Sequence, residues 1–120
     1  MKFRDTLSNI VDGVGGGLGA VIMGCDGIAI DEYLPESSLD IQALAVEYVA
    51  VMNQTRNLAE SLGCGSMEEV CISTSAASIL IRYVNRDFFL VLVTDRNSSA
   101  GKGRFLLRQA SLRLREELER

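Results

Sequence analysis

Two glycine-rich stretches and one polar triplet are the places where this chain's residue types could do chemistry. The run Gly13-Val14-Gly15-Gly16-Gly17-Leu18-Gly19 has the glycine density of a loop whose backbone N–H groups cradle a phosphate. Its spacing is wrong for dinucleotide binding, because Leu18 stands where GxGxxG needs its last glycine. Its context is wrong too: it follows a helical pattern and precedes a strand-like one, the reverse of a Rossmann entry. It reads as a flexible helix-to-strand connection. Gly101-Lys102-Gly103 imitates the end of a P-loop, but no Ser or Thr follows the lysine and Arg96 occupies the place of the first glycine. Asp95-Arg96-Asn97 is the one compact polar set near the strand-like segments, and a helix-entry loop accounts for it.

Composition removes further chemistry. There is no His, so the common general base, the Ser-His-Asp arrangement and the common metal ligand are all missing. Cys25, Cys64 and Cys71 are odd in number and share no CxxC spacing, which argues against a disulfide framework or a zinc site and for buried thiols in a reducing cytoplasm. A net charge of −4 opposes nucleic-acid binding, which needs a basic field. No apolar run approaches the ~20 residues of a membrane span, and the N-terminus lacks the apolar core of a signal peptide. The expectation is a non-enzymatic protein with no cofactor and no metal. At 120 residues it is expected to be one domain over 1–120, with a core that needs no staples.

The elements are legible in order. Residues 2–13 show a helical stripe of Phe3, Leu7, Ile10 and Val14, with Gly13 as its stop. LGAVIMG, 18–24, is an apolar strand. Asp26-Gly27 then signals a tight hairpin with both central residues at positive φ, pairing Ala20–Met23 with Ile28–Asp31. Ser37 and Asp40 look like a capping pair for the next helix. After Gly63-Cys64-Gly65, the segment Met67–Thr74 is β-prone from Val70, with Val70 and Ile72 on one face and Glu69 and Cys71 on the other. Ala77–Val84 places Ile79, Ile81 and Tyr83 on one face and Leu80, Arg82 and Val84 on the other. FFLVLV, 88–93, is uninterrupted apolar and should be a central strand covered on both faces. The last helix runs over Ala100–Glu119. Gly103, Leu107, Ala110, Leu114 and Leu118 point inward, and Lys102, Arg104, Arg108, Arg113 and Arg115 make a solvated basic face.

The organising element is LDIQALAVEYVAVMNQTRNLAESL, 39–62, one long helix without Gly or Pro. Ile41, Leu44, Ala45, Tyr48, Met52, Thr55, Ala59 and Leu62 recur at three- and four-residue spacing and should lie on a sheet. The opposite face, at about 100° per residue, carries Ala43, Val46, Ala50, Asn53, Asn57 and Ser61. None is charged; Glu47, Arg56 and Glu60 sit to the sides. Small uncharged residues let helix backbones approach, so this face is expected to be covered by a second protein. The order helix, two strands, helix, three strands, helix fits a five-stranded antiparallel sheet, with the first and last helices on one face and the long helix on the other. A Met67–Thr74 strand at the sheet edge, with Val70 and Ile72 and without Pro or Lys, invites pairing with a second copy across a two-fold axis.

These features together resemble the dynein light chain Roadblock family, over about residues 5–118. The resemblance rests on element order and on Gly17-Leu18-Gly19-Ala20, Asp26-Gly27, the long second helix and the helix after Asn97-Ser98-Ser99. It is strongest to the bacterial MglB-like branch. It implies an α+β domain of order αββαβββα that homodimerises through the long helix and the following edge strand and has no enzyme site. It also implies association with a Ras-like small GTPase of the motility and polarity type, as an activator or a platform. The candidate partner-binding residues are Ala43, Val46, Val49, Ala50, Asn53, Arg56, Asn57 and Glu60. The candidate dimer edge is Glu68, Val70 and Ile72. Arg56, Arg82 and Arg96 are the arginines that could act in trans on a bound GTPase. Two other readings compete: an adaptor for another Roadblock protein without effect on hydrolysis, and a small-ligand sensor of profilin- or PAS-like build.

Overall fold

The computed structural model describes residues 3–35 and 39–119. Eight elements follow one another: α1 (Phe3–Val14), β1 (Gly17–Gly24), β2 (Ala29–Tyr33), α2 (Ile41–Ser61), β3 (Glu69–Ser73), β4 (Ala77–Tyr83), β5 (Phe88–Asp95) and α3 (Ala100–Leu118). The strands form one antiparallel sheet in the order β2-β1-β5-β4-β3. The expected αββαβββα order and α+β class are both present. So is the edge position of β3.

The central position of β5 explains its unbroken apolar sequence. Leu90 and Leu92 point to a core shared with α1 and α3, and Phe89, Val91 and Val93 point to a second core under α2. All five are buried. β4 divides as its sequence alternates, with Leu80 and Val84 in the first core and Ile79, Ile81 and Tyr83 in the second. The inward stripe of α3 is also as read: Gly103, Leu107, Ala110 and Leu114 are buried, and Leu118 packs at the margin. Ser99 caps α3 by accepting from the Lys102 N–H at 3.2 Å. Asp40 caps α2 by accepting from the Ala43 N–H at 3.1 Å. Ser37, the other half of the expected pair, lies outside the described residues.

Several boundaries differ from the sequence reading. Gly13 does not stop α1, which continues to Val14. The glycine run is mostly not a connection: only Gly15-Gly16 link α1 to β1, and Gly17 and Gly19 belong to the strand. A Cβ on Gly17 would sit 2.4 Å from the Val11 carbonyl oxygen, so this glycine is what lets α1 lie directly on the sheet. The hairpin is also not the two-residue type. Gly27 alone has positive φ (+90°); its N–H bonds to the Gly24 carbonyl at 2.9 Å, and Ile28 N–H is held by the Asp26 carboxylate at 3.1 Å. This is a longer turn closed by one left-handed glycine. Pairing is therefore shifted: Ala20 faces Tyr33 and Ile22 faces Asp31, with an irregularity between Ile22 and Met23, and Ile28 stands exposed outside the strand. Finally, the basic face of α3 is only partly solvated. Arg104 donates through Nε and Nη2 to the same Glu69 oxygen at 3.0 and 2.8 Å, and Arg115 donates to the Val84 carbonyl at 2.7 Å.

Candidate functional site

α2 is attached to the sheet by a narrow strip. Of its residues only Ile41, Ala45 and Met52 are buried. The wide inward face expected from periodicity is therefore corrected. Leu44, Tyr48 and Ala59 are half-buried, while Thr55 and Leu62 are exposed. α2 packs chiefly on β1, so it does not blanket the sheet.

The expected partner-binding residues do not share one surface. Ala43, Val46, Ala50 and Asn57 are exposed, as is Glu60, and Val46 adds an apolar side chain to this patch. Val49, Asn53 and Arg56 turn toward the sheet and are half-buried, with Val49 packed at the margin of the core. Arg56 lies over the Tyr83 ring, 4.6 Å from its centroid, and donates to the Arg86 carbonyl at 3.1 Å and to Asn53 at 3.4 Å. Arg86 also pairs with Glu60 at 3.5 Å. Near the start of the helix, Gln42 bonds Glu32 of β2. This flank of α2 is thus tied to the body of the protein.

The other flank carries a stripe of which Leu44, Tyr48, Thr55 and Leu62 were expected on the inward face, while Val51 and Leu58 were expected on neither face. Leu44, Val51 and Leu58 recur every seven residues, with Tyr48, Thr55 and Leu62 between them. Val51, Leu58 and Leu62 expose 52, 57 and 69% of their surface. A heptad spacing of this kind marks a helix that packs along a second helix. The seven-residue recurrence is present in the sequence; the 3.6-residue stripe took up Leu44 alone and passed over Val51 and Leu58.

At the sheet edge, Val70 and Ile72 are half-buried, and Glu68 is exposed just before β3. The face of the strand toward α3 is held by charge: Glu69 stands between Arg82, at 3.9 Å, and Arg104, at 2.8 Å. Arg96 is exposed and donates to the Thr74 carbonyl at 2.9 Å. The three arginines named as possible trans-acting groups are therefore all engaged within the chain. Among the described residues, no group of three or more metal-ligating side chains comes together, and no helix is long and apolar enough to cross a membrane.

No protein-family model matches the chain, and no curated protein is significantly similar to it. Solved structures are. The crystal structure of MglC from Myxococcus xanthus is 38% identical, with 98% of this chain and 99% of that one aligned and a TM-score of 0.69. MglB from the same organism is 18% identical, over 99% and 96% of the two chains, with a TM-score of 0.88. A Roadblock/LC7 domain from Streptomyces avermitilis is 15% identical, over 98% of each, with a TM-score of 0.87. The two low-identity likenesses establish the shape, and the MglC likeness spans both chains almost completely at an identity that marks common descent. The chain belongs to the Roadblock/LC7 domain family, in the bacterial branch that includes MglB and MglC.

Proposed function

We propose that this protein is a non-enzymatic, homodimeric Roadblock module that binds and regulates a Ras-like small GTPase of the bacterial motility and polarity type in the cytoplasm. The observation that carries the reading is the pairing of an uncharged, exposed apolar surface on α2 with an unprotected strand edge at β3. Val51, Leu58 and Leu62 supply a seam for a second α2, and Val70 and Ile72 border the edge at which a second β3 would add. A standard interface of about 1,600 Å² is within reach of a strand pair plus a helix pair. Ala43, Val46, Ala50 and Asn57 then remain on the outer surface as the docking area for the GTPase, with Glu60 at its rim.

The mode of regulation proposed is indirect: the dimer holds the partner's switch segments in place. Arg56 lies over the Tyr83 ring, Arg82 is ion-paired with Glu69 and Arg96 donates to the Thr74 carbonyl, and these intrachain contacts support the indirect mode over an arginine acting in trans. The same observation favours a second reading, in which the module joins another Roadblock protein and leaves hydrolysis unchanged. Single-turnover GTP hydrolysis by a Ras-like GTPase of the same cell, with and without this protein, separates them. Acceleration retained in Arg56→Ala, Arg82→Ala and Arg96→Ala supports the indirect mechanism. Binding without acceleration selects the adaptor. Failure to bind any such GTPase removes the GTPase reading. The protein alone should neither bind nor hydrolyse GTP.

A further inference from the structure

At the end of the sheet where β3 begins and β4 finishes, a pocket of about 200 Å³ lies between the last turns of α2, the β4–β5 turn and α3. Four arginines from four separate parts of the fold line it: Arg56, Arg82, Arg86 and Arg115. Glu60 and Glu68 are the acidic residues in its wall, which leaves a surplus of two positive charges. In a chain of net charge −4 this is a local reversal of sign.

Two donors in this wall are unspent. Tyr83 is 8% exposed and lines the pocket, and its hydroxyl is buried without a hydrogen-bond partner among the described residues. The Nε–H of Arg82 is buried and unpartnered in the same way. A buried hydroxyl left unsatisfied costs about 1–3 kcal/mol, which an acceptor reaching it from the pocket would offset. Arg115 is fixed by its Nε on Val84, which leaves both terminal nitrogens for other acceptors, and the Arg56 guanidinium is held over the Tyr83 ring. The wall is therefore pre-organised and rich in donors.

We propose that this pocket binds a phosphate monoester dianion. The group matches on three counts. It is acceptor-rich, it concentrates a charge of about −1.5 to −2 on one centre, and guanidinium forks fit its oxygens. A dicarboxylate would spread the same charge over more atoms. At about 200 Å³ the pocket lies below the 300–1,000 Å³ range of sites for drug-sized ligands and suits a single small anionic group. The site rests on neither the dimer nor the GTPase reading.

Titration calorimetry of inorganic phosphate and of O-phosphoserine into the full chain, at low ionic strength, tests it. The expected result is binding at about 1 mM or tighter, with acetate at least about tenfold weaker. Tyr83→Phe removes only the hydroxyl and keeps the ring against Phe89 and Arg56; it should weaken phosphate binding about tenfold. Arg86→Gln, at an exposed turn position, should do the same, and unchanged circular dichroism checks that both variants fold. Tighter binding of phosphoserine identifies a phosphorylated side chain as the source, and tighter binding of inorganic phosphate a free anion; either result supports the site. No heat at about 10 mM phosphate, equal affinity for acetate, or affinity unchanged in both variants overturns it.

Discussion

The two faces of the sheet are covered very differently. On one, α1 and α3 pack side by side and enclose a core of Phe3, Leu7, Ile10, Val11, Ile22, Leu80, Leu90, Leu92 and Leu107, none more than 3% exposed. On the other, a single helix of 21 residues buries only three of them. It leaves Val70 and Ile72 half-covered and Val51, Leu58 and Leu62 largely in solvent. The first face is finished by the chain itself. The second has the apolar content of a core and the cover of a surface, and that mismatch is the physical sign of an interface.

The comparison breaks first where the closed face is disturbed. Leu107→Ala removes a fully buried side chain between α3 and the sheet and should cost about 2–5 kcal/mol in urea unfolding. Gly17→Ala should destabilise similarly, because its Cβ meets the Val11 backbone rather than a movable side chain. A loss under about 0.5 kcal/mol in both would mean that this face is not tightly closed.

The open face should behave in the opposite sense. Val51→Glu and Leu58→Glu place a charge where the single chain has solvent, so unfolding of the isolated chain should change by no more than about 0.5 kcal/mol. Self-association should weaken by at least about tenfold, because the charge enters an apolar seam. Val46→Glu and Ala50→Glu, on the outer patch, test whether that surface serves the dimer or only the GTPase. Light scattering at micromolar concentration reads all four. A wild-type mass that stays monomeric at every concentration would sink the dimer.

The smallest effect sharpens the comparison at the margin of the open face. Burial raises the Tyr83 phenol and the Cys25 thiol above their ordinary values, and the Arg56 charge beside each partly offsets this. In both cases the folded state prefers the neutral, protonated form. The unfolded chain therefore gives up protons first as pH rises. Stability from these groups is complete below about pH 9 and is lost through pH 9–10 and above. Tyr83→Phe should flatten the upper part of that decline in melting temperature. Cys25→Ala should flatten the lower part. Identical alkaline profiles for wild type and both variants would show that neither group is sheltered.

Amphipathic period and turn chemistry carried most of the fold. The unbroken FFLVLV read as a strand covered on both sides, because its shortness, its valines and aromatics and the turn residues before it favour a buried strand over a buried helix. The alternation in β4 assigned its residues correctly to the two cores. The inward stripe of α3 followed from 3.6-residue spacing alone. These are local signals, each written in residues next to one another in the chain. They established the element order and the sheet, while composition alone, with no His, removed catalytic constellations built on that residue.

Tertiary structure decided what depends on how elements lie across one another. Gly17 became a packing contact once α1 was seen against β1. The Asp26-Gly27 turn took its longer form because hairpin register is a property of two strands. Most of all, periodicity could say that α2 has an apolar stripe but not how wide a strip the sheet would accept. Full burial was limited to Ile41, Ala45 and Met52, Leu44 packed only at the margin of that core, and Val51 and Leu58 were left outside it. The arginine pocket was likewise invisible in the chain order. Arg56, Arg82, Arg86 and Arg115 come from three elements and a turn, and only the crossing of α2, β4 and α3 at one end of the sheet sets them around Tyr83.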